Sequence, residues 1–195
     1  MNVERTVEPL TEPVTLDEAK EYLRVTDCDD DDAYITSLIS VARRMVEDMT
    51  GRVLIDTVFT QSAHSWCPWL DILRGNARTV NSVVYQPADG GPELPVDSSL
   101  YEIEKYGDGK AQLVFDEEFD EPELMYRMGV SNIRIEFVAG YGAAAVDVPQ
   151  PLVQAIKFLV SHYYENRTPV TGESVPRSVP MTVDHICNNY KIYNL

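Results

Sequence analysis

The chain has 195 residues, of which 44% are hydrophobic and 25% charged, and its formal charge at pH 7 is −16. That length suits one compact domain, or a small domain interrupted by another, and the apolar content excludes a disordered chain. No stretch approaches the roughly 20 apolar residues of a membrane helix, no basic segment leads into an apolar run at the N-terminus, and so acidic a chain is poorly suited to gripping nucleic acid through its phosphates. A soluble protein made in the cytoplasm is expected.

The first 13 residues contain Pro and Glu without periodicity and predict an extended arm. Thr15-Leu-Asp-Glu18 has the pattern of a capping box, in which the Thr15 hydroxyl accepts from the Glu18 amide while the Glu18 carboxylate reaches back. A short helix to Arg24 should follow, with Leu16, Ala19 and Leu23 on one face. The acidic run Asp27-Cys-Asp-Asp-Asp-Asp32 precedes a second helix, whose apolar positions Ile35, Leu38, Ile39, Ala42, Met45, Val46 and Met49 keep helical spacing up to a stop at Gly51. Acids before a helix complement its dipole and cap free amides. A calcium loop would need Gly at its sixth position and Glu at its twelfth, where this chain has Asp32 and Leu38.

From Arg52 onward the pattern is that of strands. Val53–Thr60, Thr79–Tyr85, Tyr101–Tyr106, Ala111–Phe115 and Ile133–Val138 are β-branched or alternate with period two, and Gly107-Asp-Gly109 marks a hairpin. Pro149 then opens a third helix with a stripe at Leu152, Ile156, Leu159 and Tyr163. A loop from Arg167 to Pro176 and a last short helix from about Met181 to Tyr190 complete the chain. The expected class is α+β. A four-helix core is built from both chain ends, residues 1–52 and 140–195, and a small antiparallel β domain, residues 53–139, is inserted between its second and third helices.

Charge follows this division. Residues 1–51 carry 13 acids against 5 bases and residues 52–147 carry 16 against 7, whereas residues 148–195 carry 3 against 4. The acidity ends where the last quarter begins.

Residues able to support chemistry are sparse. Cys28, Cys67 and Cys187 are odd in number and widely spaced, as expected of free thiols in a reducing compartment. His64, His162 and His185 fall in no metal-binding pattern, and His162 is expected to pack or hydrogen-bond on the third helix. His185 and Cys187, two apart on a helix, point to different faces. Gly140-Tyr-Gly142 is too short to cradle phosphate and predicts a tight turn from the last strand into the third helix. The acids of Asp116–Glu123 are expected in a loop rather than as a glycosidase pair. Arg43 and Arg44 lie on a helix in acidic surroundings, which suits pairing within the chain or between subunits better than phosphate contact. No nucleophile elbow, Walker loop or dinucleotide fingerprint is present, so no enzyme, cofactor or metal site is expected.

Three segments, in order, resemble the phage head–tail connector family, in its longer subgroup with a β-rich insertion. The first is Val14–Arg24 with the acidic run, Ala33–Arg43 and Thr50–Leu54. The second is Ile135–Gly142 with Val148–Leu152 and His162–Arg167. The third is Val179-Pro180 leading to Tyr190-Lys-Ile-Tyr193. The resemblance covers about 110 residues, and between Arg52 and Asn132 only the β character matches. The family often closes with an Arg near an aromatic, where this chain has Lys191; the charge survives, but a bidentate contact would not.

The resemblance implies a structural ring subunit, usually twelvefold, in the virion neck at the portal–tail junction. Its partners are the portal protein on one side and a tail, stopper or tail-terminator protein on the other, with DNA passing through the lumen without specific binding. Synthesis in the host cytoplasm, no membrane, no catalysis and no cofactor are implied. An acidic ring would let DNA slide without sticking. The near-neutral end then becomes the expected portal contact, through Met181, His185, Tyr190, Lys191 and Tyr193. Arg43 and Arg44 become candidates for contact between subunits. The insertion is expected to project as the outer or tail-facing part. The rival reading is an acidic DNA mimic or inhibitor that captures a basic protein partner.

Overall fold

The structure is a computed structural model that describes residues 2–26, 29–125, 131–167 and 181–193. The class is α+β, with four α-helices and two antiparallel sheets among the described residues. The chain divides into two compact units, Met1–Pro9 with Asp56–Gly140 and Leu10–Ile55 with Tyr141–Leu195. It crosses from one to the other three times.

The second unit contains all four helices: α1 (Leu16–Leu23), α2 (Asp32–Thr50), α3 (Gln150–Glu165) and α4 (Met181–Asn188). The capping box of α1 is made in full: the Glu18 amide donates to the Thr15 hydroxyl at 3.2 Å and the Thr15 amide to the Glu18 carboxylate at 3.1 Å. Gly51 ends α2 in the left-handed region at φ 70°, its amide donating to the Glu47 carbonyl. The apolar stripes meet in one core of Ile35, Leu38, Ile39, Ala42 and Val46 from α2, Leu152, Ile156 and Leu159 from α3, and Val183 and Cys187 from α4.

The acidic run departs from its expected role. Asp31 is the N-cap of α2, yet its side chain makes no capping bond. It is used instead by Tyr164, in the last turn of α3, and by Arg167 just beyond it, while Asp29 and Asp32 pair with Lys20 of α1. Asp27 and Cys28 lie outside the described residues, as do residues 168–176 of the expected loop and the Val179-Pro180 step.

The first unit is built of strands. A five-stranded sheet runs β1 (Asn2–Arg5), β2 (Thr57–Ala63), β8 (Ile133–Ala139), β4 (Ala77–Tyr85), β5 (Leu94–Pro95), and a three-stranded sheet runs β3 (Trp69–Asp71), β7 (Lys110–Phe115), β6 (Tyr101–Tyr106). Alternation sets which side chains are inside: Phe59 opposes Phe137, their rings stacked at 5.7 Å, and Ala63 opposes Ile133. Gln61, fully buried between them, donates to the Asp71 carbonyl at 2.7 Å and accepts from the Leu73 amide at 2.9 Å, tying β2 to the end of β3. The β6–β7 hairpin closes through Gly107 and Gly109, both at positive φ.

Three boundaries differ from the sequence expectation. Residues 1–52 do not all belong with the helices: Met1–Pro9 lie in the strand unit, where β1 pairs with the edge of β2 and the Arg5 guanidinium sits over the Phe59 ring. The strand expected at Val53–Thr60 starts at Thr57, because Leu54 and Ile55 turn into the helical core. The third crossing falls after Gly140, and a Cβ there would sit 2.5 Å from the Asp56 amide nitrogen, so only glycine fits. The turn expected at Gly140–Gly142 is present, with Gly142 bridged to Ile55 and the Tyr141 amide donating to the Leu54 carbonyl at 3.2 Å.

Candidate functional site

The near-neutral C-terminal segment is presented by α4 and the residues after it. One face of α4, Val183 and Cys187, is buried in the helical core. Burial pushes the Cys187 thiol up to about 11, with the Asp184 carboxylate adding to the effect. The opposite face is open: Met181 is 86% exposed, and His185 is exposed. His185 and Cys187 therefore lie on different sides, and no group of three metal-ligating side chains exists among the described residues.

Beyond α4 the backbone is clamped to the end of α2. The Arg52 guanidinium donates to the Tyr190 carbonyl, and the Ile192 amide donates to the Thr50 carbonyl at 2.8 Å. Tyr190 is half-buried against the helical core and Ile192 passes close over Gly51. Lys191 and Tyr193 project outward, the ammonium 5.7 Å from the Tyr193 ring centre, and Tyr193 is 60% exposed. Of the five residues expected to contact a partner, Met181, His185, Lys191 and Tyr193 thus form an open surface, whereas Tyr190 is committed to its own core.

Arg43 requires a correction. Its side chain is 2% exposed and lies inside the helical unit. It donates to Glu12 through two nitrogens, at 2.7 and 3.3 Å, and to Glu47 at 3.1 Å, and the other Glu47 oxygen accepts from the Leu54 amide at 3.0 Å. A guanidinium so enclosed offers nothing to a neighbouring subunit; of the two sequence candidates only Arg44 is exposed.

A second polar cluster escaped the sequence reading. The Arg167 guanidinium lies between the Tyr34 and Tyr164 rings, 4.8 and 4.9 Å from their centres. Asp31 accepts from the Tyr164 hydroxyl at 2.6 Å and from Arg167 at 2.7 Å. The Tyr164 hydrogen bond, then the Arg167 cation, hold the Asp31 carboxyl below the usual carboxylate range, and the same bond raises the Tyr164 phenol. Lys20 is raised by its hydrogen bonds to Asp29 and Asp32. These partners lie far apart in sequence, so no local spacing points to them. His162 packs beside Tyr163, with ring centres 5.8 Å apart. Asp116–Glu123 is a loop as expected; it folds over an aromatic cluster in which Trp66 donates to the Pro122 carbonyl and Phe119 stacks on Phe115 at 4.5 Å.

The site thus comprises one open surface at the C-terminal end and two polar networks, around Arg43 and around Asp31. Residues 13–70 match the sequence profile described as "Phage gp6-like head-tail connector protein". That match covers the first of the three resembling segments and runs on to the start of the strand unit. Among solved structures, the fold matches a chain in the neck of an empty GTA particle computed with C6 symmetry, with TM-score 0.80, 20% identity, and 100% of this chain on 97% of that one. It also matches chains in the virion of a native gene transfer agent (GTA) particle, TM-score 0.78, and in the native GTA neck computed with C12 symmetry, TM-score 0.73, with the same identity and coverage. No curated protein matches. The likeness extends through both units, so this chain has the fold of those neck chains, strand insertion included.

Proposed function

We propose that the chain is a head–tail connector: a structural subunit of a virion neck that assembles as a ring at the portal–tail junction and extends the DNA channel. The observation that carries this reading is the match of the entire chain to the fold of neck chains, joined to the connector profile over residues 13–70. Those neck structures were computed with sixfold and twelvefold symmetry, which supports a dodecamer. The charge fits the role, since the first 147 residues hold 29 of the 32 acids and a lumen lined by them would repel DNA rather than retain it. On this reading the protein works without cofactor or catalysis, and the helical unit is the ring-forming core. Electron microscopy of particles tests it directly: density for this chain in a ring at the portal–tail junction is the expected result, and a particle neck without it ends the proposal.

The exposed surface of Met181, His185, Lys191 and Tyr193 is the proposed portal contact. Lys191 gives a flexible point charge rather than a bidentate fork, and Met181 and Tyr193 give apolar area. Tyr190 supports the surface from below. Deleting residues 181–195 should abolish co-sedimentation with the portal protein, but it would also remove Cys187 and Val183 from the core. The double substitution Met181→Asp with Tyr193→Asp leaves the core intact and should have the same effect. Undiminished co-sedimentation of that variant would show that the portal binds elsewhere.

A further inference from the structure

The three-stranded sheet ends in β6, whose outer edge pairs with no strand among the described residues. β6 pairs with β7 alone. The Asp116 amide donates to the Leu100 carbonyl, and the Phe115 amide to the Pro68 carbonyl on the β3 side. The antiparallel alternation therefore turns the backbone groups of Glu102 and Glu104 toward β7 and those of Tyr101, Ile103 and Lys105 toward the open edge. The outward face is acidic at that edge and carries an aromatic ring at the other, on β3. Trp69, 58% exposed, is in line with Val114 and Glu102; Asp71 is in line with Gln112 and Glu104. At the start of β6 a cavity of about 420 Å³ is lined by Tyr101, Glu102, Phe115, Asp116 and Glu117, among others. Among the described residues no Lys or Arg is ion-paired with any of these glutamates or with Asp116.

We infer that β6 accepts an added antiparallel strand from a basic partner protein, with Lys or Arg at every second position. In that geometry the residues opposite Glu102 and Glu104 are two apart and lie on the acidic face, where opposite charges across strands attract. A third basic residue, two further on, reaches the cavity, where the Phe115 and Tyr101 rings and the carboxylates of Glu102, Asp116 and Glu117 suit a long cationic side chain. Simple protection of a sheet edge calls for charge of either sign and does not account for the cavity. The inference rests on the strand unit alone and stands or falls independently of the connector reading.

The test uses the intact protein at 150 mM salt, where the general attraction of an acidic surface is screened beyond about 8 Å. The probe is a labelled heptapeptide with arginine at its second, fourth and sixth positions and threonine or valine between. It should bind at least about tenfold tighter than a peptide of the same composition with the three arginines contiguous. N-methylation at the non-arginine positions, whose amides would face β6, should abolish binding, while N-methylation at the arginines should not. E102Q/E104Q should weaken binding about tenfold and the equally charge-reduced E21Q/D48N should leave it unchanged. Equal binding of the contiguous peptide, or equal losses in the two variants, would overturn the proposal in favour of diffuse charge attraction.

Discussion

Arg43, Glu12 and Glu47 form an enclosed network whose contribution to stability is asymmetric. Desolvating three charges costs much of what their attraction returns, but removing one partner leaves the others stranded. Arg43→Met should therefore destabilise the helical unit by about 3–5 kcal/mol, because Glu47, 5% exposed, would lose the guanidinium that donates to it at 3.1 Å. Urea unfolding followed by helical circular dichroism measures this, and restoring stability by adding Glu47→Gln would identify the stranded charge as the cause. Cys187 makes a different prediction. Burial lifts its thiol from the ordinary 9.0 to about 11, so folding favours the neutral form. A raised pKa contributes stability that is complete below the unfolded value and is lost as pH rises toward the folded one. Stability should therefore decline between about pH 9 and 11, and Cys187→Ala should flatten that slope while lowering stability at pH 7 through the cavity it leaves. An unchanged alkaline slope in the variant would assign it to other groups.

At the scale of elements, the sequence was most legible where local chemistry decides the outcome. The Thr15–Glu18 box, the Gly51 stop and the Gly107–Gly109 hairpin each depend on a few adjacent residues, and each appears where its pattern stands. Thr15→Ala should cost about 1 kcal/mol, since the Glu18 amide loses its acceptor; hydrogen exchange at the first turn of α1 should accelerate correspondingly. Where partners come from a distance, the pattern was silent or misleading. Val53–Ile55 has the β-branched composition of a strand, but two of its side chains fill the helical core, a choice that depends on α2 and α3 already packing there. β1 is four residues without a turn signal, and only the edge of β2 makes it a strand. The carboxylates of Asp29, Asp31 and Asp32 are claimed by Lys20, Tyr164 and Arg167, not by helix amides. The candidate surface shows the same split: composition pointed to the exposed Met181, Lys191 and Tyr193, but Tyr190 and Arg43 could be assigned to the interior only once the packing was known. The clamp on the tail has its own test. Arg52→Ala removes the donor to the Tyr190 carbonyl, so the amide of Ile192 should exchange faster while α3 amides do not change.

For the whole molecule, the organisation is that of one unit inserted into another, and its geometry makes the insertion removable. The chain leaves the helical unit after Ile55 and returns at Tyr141, where the Tyr141 amide bonds to the Leu54 carbonyl and Ile55 bridges Gly142. That bridge is parallel, so a shortcut must reverse direction before rejoining. A Gly/Ser linker of about six residues spans roughly 13 Å on average, enough for that return. Because Met1–Pro9 pair with the removed sheet, they must go as well, or β1 would expose an orphaned strand edge. A chain of residues 10–55 and 141–195 joined by such a linker retains every member of the helical core, along with the Arg43 and Asp31 networks. Closing a short loop in place of 85 residues also lowers the entropy of the unfolded chain. This chain should unfold cooperatively with a helical spectrum and, on the proposed connector reading, retain whatever ring contacts the helical unit makes. A non-cooperative transition would mean that the helices depend on the strand unit for their packing. Retained cooperativity with lost ring formation would instead place the contacts between subunits on the insertion.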